Sequence, residues 1–306
     1  MSVNIIKRGL ATSAVKNAIK NVTVIGGGLM GSGIAQVAAQ AGNNVTVLEV
    51  NTDLLKKLDS GIAKNIERVA KKIYKEDAEK AKNFIEQTRS RVKGTTDFKT
   101  AVQDSDLVVE AIVENMKVKH ELFKNLDSAA PQKTIFTSNT SSLSITEIAS
   151  VTNRKDRFGG LHFFNPVPMM KLLEVVRTED TSDETFKAMW DWGIAIGKTC
   201  INCKDTPGFV VNRLLVPYLS EAMKMLERGD ASAKDIDIAM KLGAGYPMGP
   251  FELSDYVGLD TTKHILDGWH EKYPDNPSFK TPELLKKLIG EGKFGKKSGE
   301  GFYKYN

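Results

Sequence analysis

Val22–Ile25 is a short β-branched run that ends in Gly26-Gly27-Gly28. Leu29–Gln40 follows, rich in Ala, Gly, Met and Gln, and then a second β-branched run, Val45–Leu48. Strand, tightly packed helix and strand in about thirty residues make a βαβ unit. Its two strands must run parallel, with a right-handed crossover. The turn itself, Gly26-Gly27-Gly28-Leu29-Met30-Gly31, fits G-x-G-x-x-G. That pattern is weak alone, but between a strand and a helix each glycine has a physical task. Gly26 allows the turn, Gly28 lets backbone approach a pyrophosphate, and Gly31 lets helix and strand pack closely. The helix N-terminus then offers N–H groups and its dipole to the phosphates. Glu49 ends the second strand, 18 residues after Gly31. A carboxylate there accepts from a ribose diol and repels a 2′-phosphate, which favours NAD over NADP and leaves FAD open. A plain βα turn with a solvated Glu weighs less, because strand, glycines and acid all agree.

From Leu55 the period changes. Leu55, Leu58, Ile62, Ile66, Val69 and Ile73 recur at three and four, the stripe of a long helix, and a second helical stretch spans Asp77 to Gln87. Between Lys56 and Lys75 there are seven basic residues against two acidic ones. A simple crossover needs no such excursion, so it reads as a helical insertion, about residues 53–90, that projects from the domain. Further apolar runs are Leu107–Val113, Thr134–Thr137, Leu161–Phe164, Leu172–Val176 and Thr199–Cys203, most of them separated by helical patterns. Asn165-Pro166-Val167-Pro168 is instead a tight, proline-stiffened link, so the runs it joins are antiparallel neighbours. After Asp205-Thr206-Pro207-Gly208 strand signals stop and helical patterns with Gly/Pro punctuation take over. The expected fold is α/β: a Rossmann-type doubly wound, mostly parallel sheet over residues 21–204, plus an all-helical domain over 205–306.

Chemistry-bearing residues gather around these runs. His162 and Glu174 each lie in an apolar strand and are equidistant from Pro168. If the strands fold back about that link, the two become cross-strand neighbours. The carboxylate then fixes the imidazole tautomer and raises its basicity, the arrangement of a general base. A purely structural buried pair is equally compatible with the residue types; the adjacent nucleotide-binding turn tips the reading toward catalysis. Ser138-Asn139-Thr140-Ser141-Ser142 follows the Thr134–Thr137 run, at a carboxyl end where ligands of open α/β sheets bind. Its hydroxyls and amide can hold a substrate oxygen, or Ser141 or Ser142 can cap the helix that starts near Ile145. Glu114 and Lys119 lie at the same edge, where surface solvation is the bland reading for each. Cys200-Ile201-Asn202-Cys203 is a C-x-x-C without a second pair, and only four histidines exist, so it reads as structural and no metal is expected.

Composition excludes several classes. The 306 residues carry a net charge of +5, which does not call for nucleic acid, and no apolar run approaches a bilayer span. Two cysteines exclude a disulfide scaffold. The ends of the chain differ, however. No Asp or Glu precedes Glu49, and the first twenty residues carry Lys7, Arg8, Lys16 and Lys20 with Ser2, Thr12 and Ser13. Basic, hydroxyl-bearing and acid-poor is the composition of a mitochondrial transit peptide, here residues 1–20; a merely frayed basic tail is the alternative.

The sequence resembles the L-3-hydroxyacyl-coenzyme A dehydrogenases of mitochondrial fatty-acid β-oxidation. The likeness rests on VIGGGLMGSGIAQVAA, DLVVEAIVEN, SNTSSL, GLHFFNPVP, KDTPGFVVNRLL, GYPMGPFELSDYVGLD and FGKKSGEGFYKY, and it spans nearly everything from Asn21 to Asn306. It implies an NAD-dependent oxidation of L-3-hydroxyacyl-CoA to 3-ketoacyl-CoA in the mitochondrial matrix. It implies His162 as base and Glu174 as its partner, with Ser141, Asn165 and Asn212 around the substrate carbonyl. Glu49, Glu114, Lys119 and Lys297 are implied on NAD, and Asn139 is expected beside them. The basic helices resemble an element that contacts coenzyme A, with Lys72 at a matching position and Asn65 at a position where relatives carry Ser. A homodimer formed through the helical domain is expected. Two other readings stay open: a hydroxy-acid or sugar-acid dehydrogenase of the same architecture, and a non-enzymatic, crystallin-like structural role.

Overall fold

The computed structural model describes residues 19–305. The basic leader expected over residues 1–20 lies outside them but for Ile19 and Lys20. The chain divides into two units, one ending at Asp205 and the next beginning at Thr206.

The first unit is one eight-stranded sheet with helices. In chain order it runs β1 (Asn21–Ile25), α1 (Leu29–Gln40), β2 (Asn44–Leu48), α2 (Thr52–Ile73), α3 (Ala78–Ser90), β3 (Val92–Thr95), α4 (Phe98–Val102), β4 (Leu107–Glu110), α5 (Met116–Ala129), β5 (Ile135–Ser138), α6 (Ile145–Ala149), β6 (Phe158–Phe163), β7 (Leu172–Arg177), α7 (Asp183–Ala195) and β8 (Thr199–Lys204). Spatial order is β3-β2-β1-β4-β5-β6-β7-β8. Every neighbouring pair is parallel except β6 and β7. The strand order turns between β1 and β4, which is where an open sheet leaves a crevice at its carboxyl ends.

The long helix starts where Asn51 accepts a hydrogen bond from the Leu54 N–H, and its stripe of Leu58, Ile62, Ile66 and Ala70 is buried. Leu58, Ile62 and Ile66 join the core formed by β1, α1 and β2. Further along, Ile73 is exposed, and Tyr74 packs on Phe84 of α3. The helical pair is therefore anchored at its base, while its far end is covered only by itself. Two elements of this unit had no sequence signal: β3, which is short and half exposed at the sheet edge, and the single-turn α4.

The second unit contains α8 (Val211–Arg228), α9 (Ala233–Gly243), α10 (Pro250–Val257), α11 (Leu259–Lys272) and α12 (Glu283–Gly290). No strand of the eight-stranded sheet lies in it. Its core gathers Met223, Phe251, Leu259, Leu266, Trp269, Phe279 and Leu285. Asp237 accepts from the Phe251 and Glu252 N–H groups at the start of α10, and Asp255 accepts from Phe302 and Tyr303 N–H. Two buried aspartates thus tie the aromatic tail to the helices.

Candidate active site

The glycine turn leaves room and donors for a phosphate. Gly26 has φ of 91°, a conformation that L side chains rarely adopt, and a Cβ there would meet the Ala111 carbonyl oxygen at 2.7 Å. A Cβ on Gly31 would collide with the Gly26 carbonyl oxygen, so helix and strand need that glycine for contact. Gly28 is different: nothing lies within 4 Å of its Cβ position. Gly28 also precedes α1 without capping any N–H by a side chain, and the first turn carries no acid. The amides that a helix start leaves unpaired therefore face open space, which fits a pyrophosphate. Glu49 sits just past β2 and accepts from the Gly27 N–H at 2.6 Å and from Val50 N–H at 3.1 Å. Its carboxylate is thereby held beside the glycine turn, where a ribose diol of a bound dinucleotide would reach it. These residues fit NAD.

Across the β6–β7 corner, His162 is paired in register with Glu174. The His162 Nδ1–H donates to Glu174 Oε2 at 2.6 Å, and Ser141 Oγ lies 2.9 Å from Nε2. The carboxylate acceptor assigns the Nδ1–H tautomer, so the Nε2 lone pair points toward the Ser141 hydroxyl. Glu174 is wholly buried and His162 is 3% exposed, so the carboxylate has no water to compete for the imidazole. Phe164 packs its ring 4.6 Å from that of His162. The Asn165–Pro166 bond in the link is cis, and Asn165 is exposed.

The hydroxyl cluster after β5 is organised from β4. Glu114 Oε1 accepts from Ser141 N–H at 3.0 Å, from Ser142 N–H at 3.2 Å and from the Thr140 hydroxyl. Burial works to raise the Glu114 carboxyl. The Lys119 ammonium, 3.2 Å away, and the Thr140 and Ser141 donors outweigh it and hold the group below the usual carboxylate range. Lys119 is not on the surface: it is 1% exposed and also bonds Glu110 at 2.6 Å. Surface solvation therefore does not describe it. Asn139 accepts from Phe163 N–H through Oδ1, which locks the end of β6. The cap of α6 is Ser144, not Ser141 or Ser142, and Asp205 accepts from the Ile145 and Thr146 N–H groups there. Ser141 is thus free of capping and turned to His162.

The remaining expected residues are dispersed. On α2, Asn65 is half-buried at the edge of the apolar stripe, while Lys64, Arg68, Lys71, Lys72 and Lys75 are exposed. None of these five forms an ion pair among the described residues. Asn212 opens α8 in the second unit, and Lys297 there pairs with Asp260 at 2.6 Å. Cys200 and Cys203 are free and buried. Burial pushes Cys200 up to about 11, and burial with the Glu174 carboxylate pushes Cys203 up to about 12, so both stay protonated thiols. Among the described residues no cluster of His, Cys, Asp and Glu could hold a metal, and no helix is long and apolar enough to cross a membrane.

Sequence reasoning missed Glu110, and it saw Ser138 in the hydroxyl cluster without its bond to Glu110. Glu110 lies in the apolar run Leu107–Val113, where it read as strand interior; the signal was a lone carboxylate among aliphatics, which must be paired. Asp205 was seen only as a boundary marker.

A family model described as 3-hydroxyacyl-CoA dehydrogenase, NAD binding domain, matches residues 21–206, and one described as the C-terminal domain of 3-hydroxyacyl-CoA dehydrogenase matches residues 208–305. Over 295 residues the chain is 60% identical to the mitochondrial hydroxyacyl-coenzyme A dehydrogenase of Homo sapiens, covering 96% of this chain and 94% of that one. It is 59% identical to the Sus scrofa enzyme of the same name, with the same coverage. The solved (S)-3-hydroxybutyryl-CoA dehydrogenase of Ralstonia eutropha matches with a TM-score of 0.89 at 38% identity, covering 94% of this chain and 99% of that one. Sheet order, glycine turn, the His162–Glu174 pair and two matched domains converge, and the chain belongs to the 3-hydroxyacyl-CoA dehydrogenase family.

Proposed function

We propose that this chain oxidises the 3-hydroxyl of an L-3-hydroxyacyl-CoA to the 3-ketone with NAD, and that His162 is the base. The observation that carries the reading is the Nδ1–H bond of His162 to buried Glu174, which leaves Nε2 as a proton acceptor. NAD, when bound, supplies the nicotinamide that accepts the C3 hydride. His162 Nε2 takes the hydroxyl proton, and Glu174 stabilises the imidazolium that results. Ser141 and Asn212 hold the oxygen as it becomes a carbonyl, a contact worth most in the transition state. Asn165 lines the substrate side of the same corner.

The amides at the start of α1 hold the pyrophosphate, Glu49 the ribose diol, and Glu114, Asn139 and Lys297 further cofactor groups. Lys119, already bound to two carboxylates, contributes by setting Glu114. The five cations of α2, Lys72 among them, meet the phosphates of coenzyme A together with Asn65. Residues 21–204 form the NAD-binding domain and residues 205–306 the substrate and dimerisation domain. Exposed Leu214, Leu242 and Tyr256 on that second unit supply an apolar face for a homodimer. The acid-poor residues 1–20 act as a transit peptide to the mitochondrial matrix; relatives named as mitochondrial support that address.

One assay separates the readings. NADH oxidation is expected with acetoacetyl-CoA and not with free keto acids. Equal turnover of free keto acids selects the hydroxy-acid dehydrogenase, and no turnover of either selects the structural role.

A further inference from the structure

Glu110 is the last residue of β4, and all four residues of that strand are buried. Its register partners are Ile25 at the end of β1 and Ser138 at the end of β5. It therefore stands at the carboxyl ends of the central strands, beside the point where strand order turns. Its side chain is 0% exposed. A carboxylate in such a place is costly unless donors surround it. Glu110 has three: Lys119 Nζ at 2.6 Å and Ile112 N–H at 2.7 Å on Oε1, and Ser138 Oγ at 2.5 Å on Oε2. Its backbone oxygen accepts from Asn139 N–H at 2.8 Å.

Each partner leads to the catalytic corner or the glycine turn. Lys119 bridges to Glu114 at 3.2 Å, Glu114 fixes the Ser141 N–H at 3.0 Å, and Ser141 Oγ meets His162 Nε2 at 2.9 Å. Asn139, held by the Glu110 carbonyl, in turn holds Phe163 N–H at 2.9 Å, next to His162 in β6. Ile112 N–H pins the loop whose Ala111 carbonyl abuts Gly26. Glu110 is fully buried; one hydrogen-bonded route from it, through Lys119, Glu114 and Ser141, ends on His162, and a second, through Asn139, ends on the neighbouring Phe163.

We propose that Glu110 is a positioning residue for the dehydrogenase reaction, acting through Lys119 and Glu114 to hold the Ser141 hydroxyl against His162. The proposal rests on the assignment of His162 and Ser141 to the chemistry. Its physical basis is that a carboxylate accepts from all three donors at once. A glutamine of the same shape removes the charge that pairs with Lys119, and an N–H₂ turned toward Ser138 leaves that hydroxyl proton without its acceptor in a buried network. Small misplacements of catalytic groups cost rate rather than ground-state affinity.

The test is a double-mutant cycle of Glu110→Gln with Ser141→Ala, read by steady-state kinetics with acetoacetyl-CoA and NADH. Glu110→Gln is expected to lower kcat about tenfold to a hundredfold while KM for NADH changes less than about threefold. In the Ser141→Ala background the same change should cost almost nothing more, because the route already ends. Ser138→Ala removes the donor on Oε2, together with the acceptor of Thr140 N–H at 3.2 Å, and keeps every charge. It should lower kcat by about a factor of three to ten, and it decides the matter if Glu110→Gln does not fold. Unchanged kcat in Ser138→Ala, or a Glu110→Gln loss that adds in full to that of Ser141→Ala, overturns the proposal. Full activity of Ser141→Ala alone overturns instead the assignment of Ser141, and the proposal with it. Melting temperatures of all variants separate these outcomes from a loss of folded protein.

Discussion

The glycine turn and the β6–β7 corner belong to the same sheet and are built on opposite plans. At the turn, side chains are missing. Gly28 has nothing within 4 Å of its Cβ position, and α1 starts without a side-chain cap. At the corner, the polar side chains are bonded to one another: His162 with Glu174 and Ser141, Ser141 with Glu114, and Glu114 with Lys119. The first region is a set of unspent donors that a ligand must complete. The second is a finished network that needs only a proton to move. On the proposed function, binding belongs to the open plan and chemistry to the closed one, so damage to either should leave the other measurable.

The largest expected effect falls on the corner. His162→Gln keeps a hydrogen-bonding side chain of similar size but removes the basic nitrogen. It should lower kcat by roughly 10²–10⁴, the usual contribution of general acid–base catalysis. NAD affinity, measured by fluorescence titration, should change little, because no group of the glycine turn is touched. Turnover within a factor of a few of the wild type, or NAD affinity lost in parallel, would collapse the distinction between the two regions.

A smaller effect is expected at the turn. Glu49 accepts from Gly27 N–H and Val50 N–H and stands where the ribose would lie. Glu49→Ala removes charge-assisted hydrogen bonds and the repulsion of a 2′-phosphate. KM for NAD should rise about tenfold or more, from the typical worth of a hydrogen bond to a charged group. The advantage over NADP should narrow, and kcat at saturating NAD should stay near normal. A fall in kcat at saturation would mean that the turn takes part in the chemical step.

The two plans also differed in how readable they were. The turn is local, so its glycines and the acid after β2 stood in the right order in the chain. The His162–Glu174 pair is non-local but was also legible, because a short proline-stiffened link between two apolar runs fixes a register. Glu110 was not legible. Its partners Lys119 and Ser138 lie 9 and 28 positions away, and only the parallel pairing of β4 with β5 brings Ser138 to it. The edge strand β3 was missed for another reason: with half-exposed residues and a glycine, it has no apolar alternation. Short α10 was missed although Pro250 and Glu252, which accepts from Gly249 N–H at 3.1 Å, mark its start; at eight residues it is too short to show a periodic stripe, and Asp237 of α9 completes its first turn.

Lys198 gives the smallest effect and the finest test of the closed plan, since it holds the link between β6 and β7. The residue is 7% exposed, and its ammonium donates to the Val167 carbonyl at 2.5 Å and the Met170 carbonyl at 2.7 Å. No carboxylate pairs with it among the described residues, and burial pushes its pKa down to about 8. In the unfolded chain a lysine titrates near 10.4. Between about pH 8 and that value the unfolded state therefore binds more protons than the folded one, and stability contributed by this group rises with pH. Below pH 8 the cost of burying the charge is present in full and does not vary. In Lys198→Met the charge is gone, so the term is gone. The melting temperature of the wild type relative to Lys198→Met should then climb by on the order of a few degrees from pH 8 to pH 10 and stay level from pH 6 to pH 7. A difference that is flat across pH 8 to 10 would show that Lys198 titrates normally, and that the link is held by its two hydrogen bonds without strain from the buried charge.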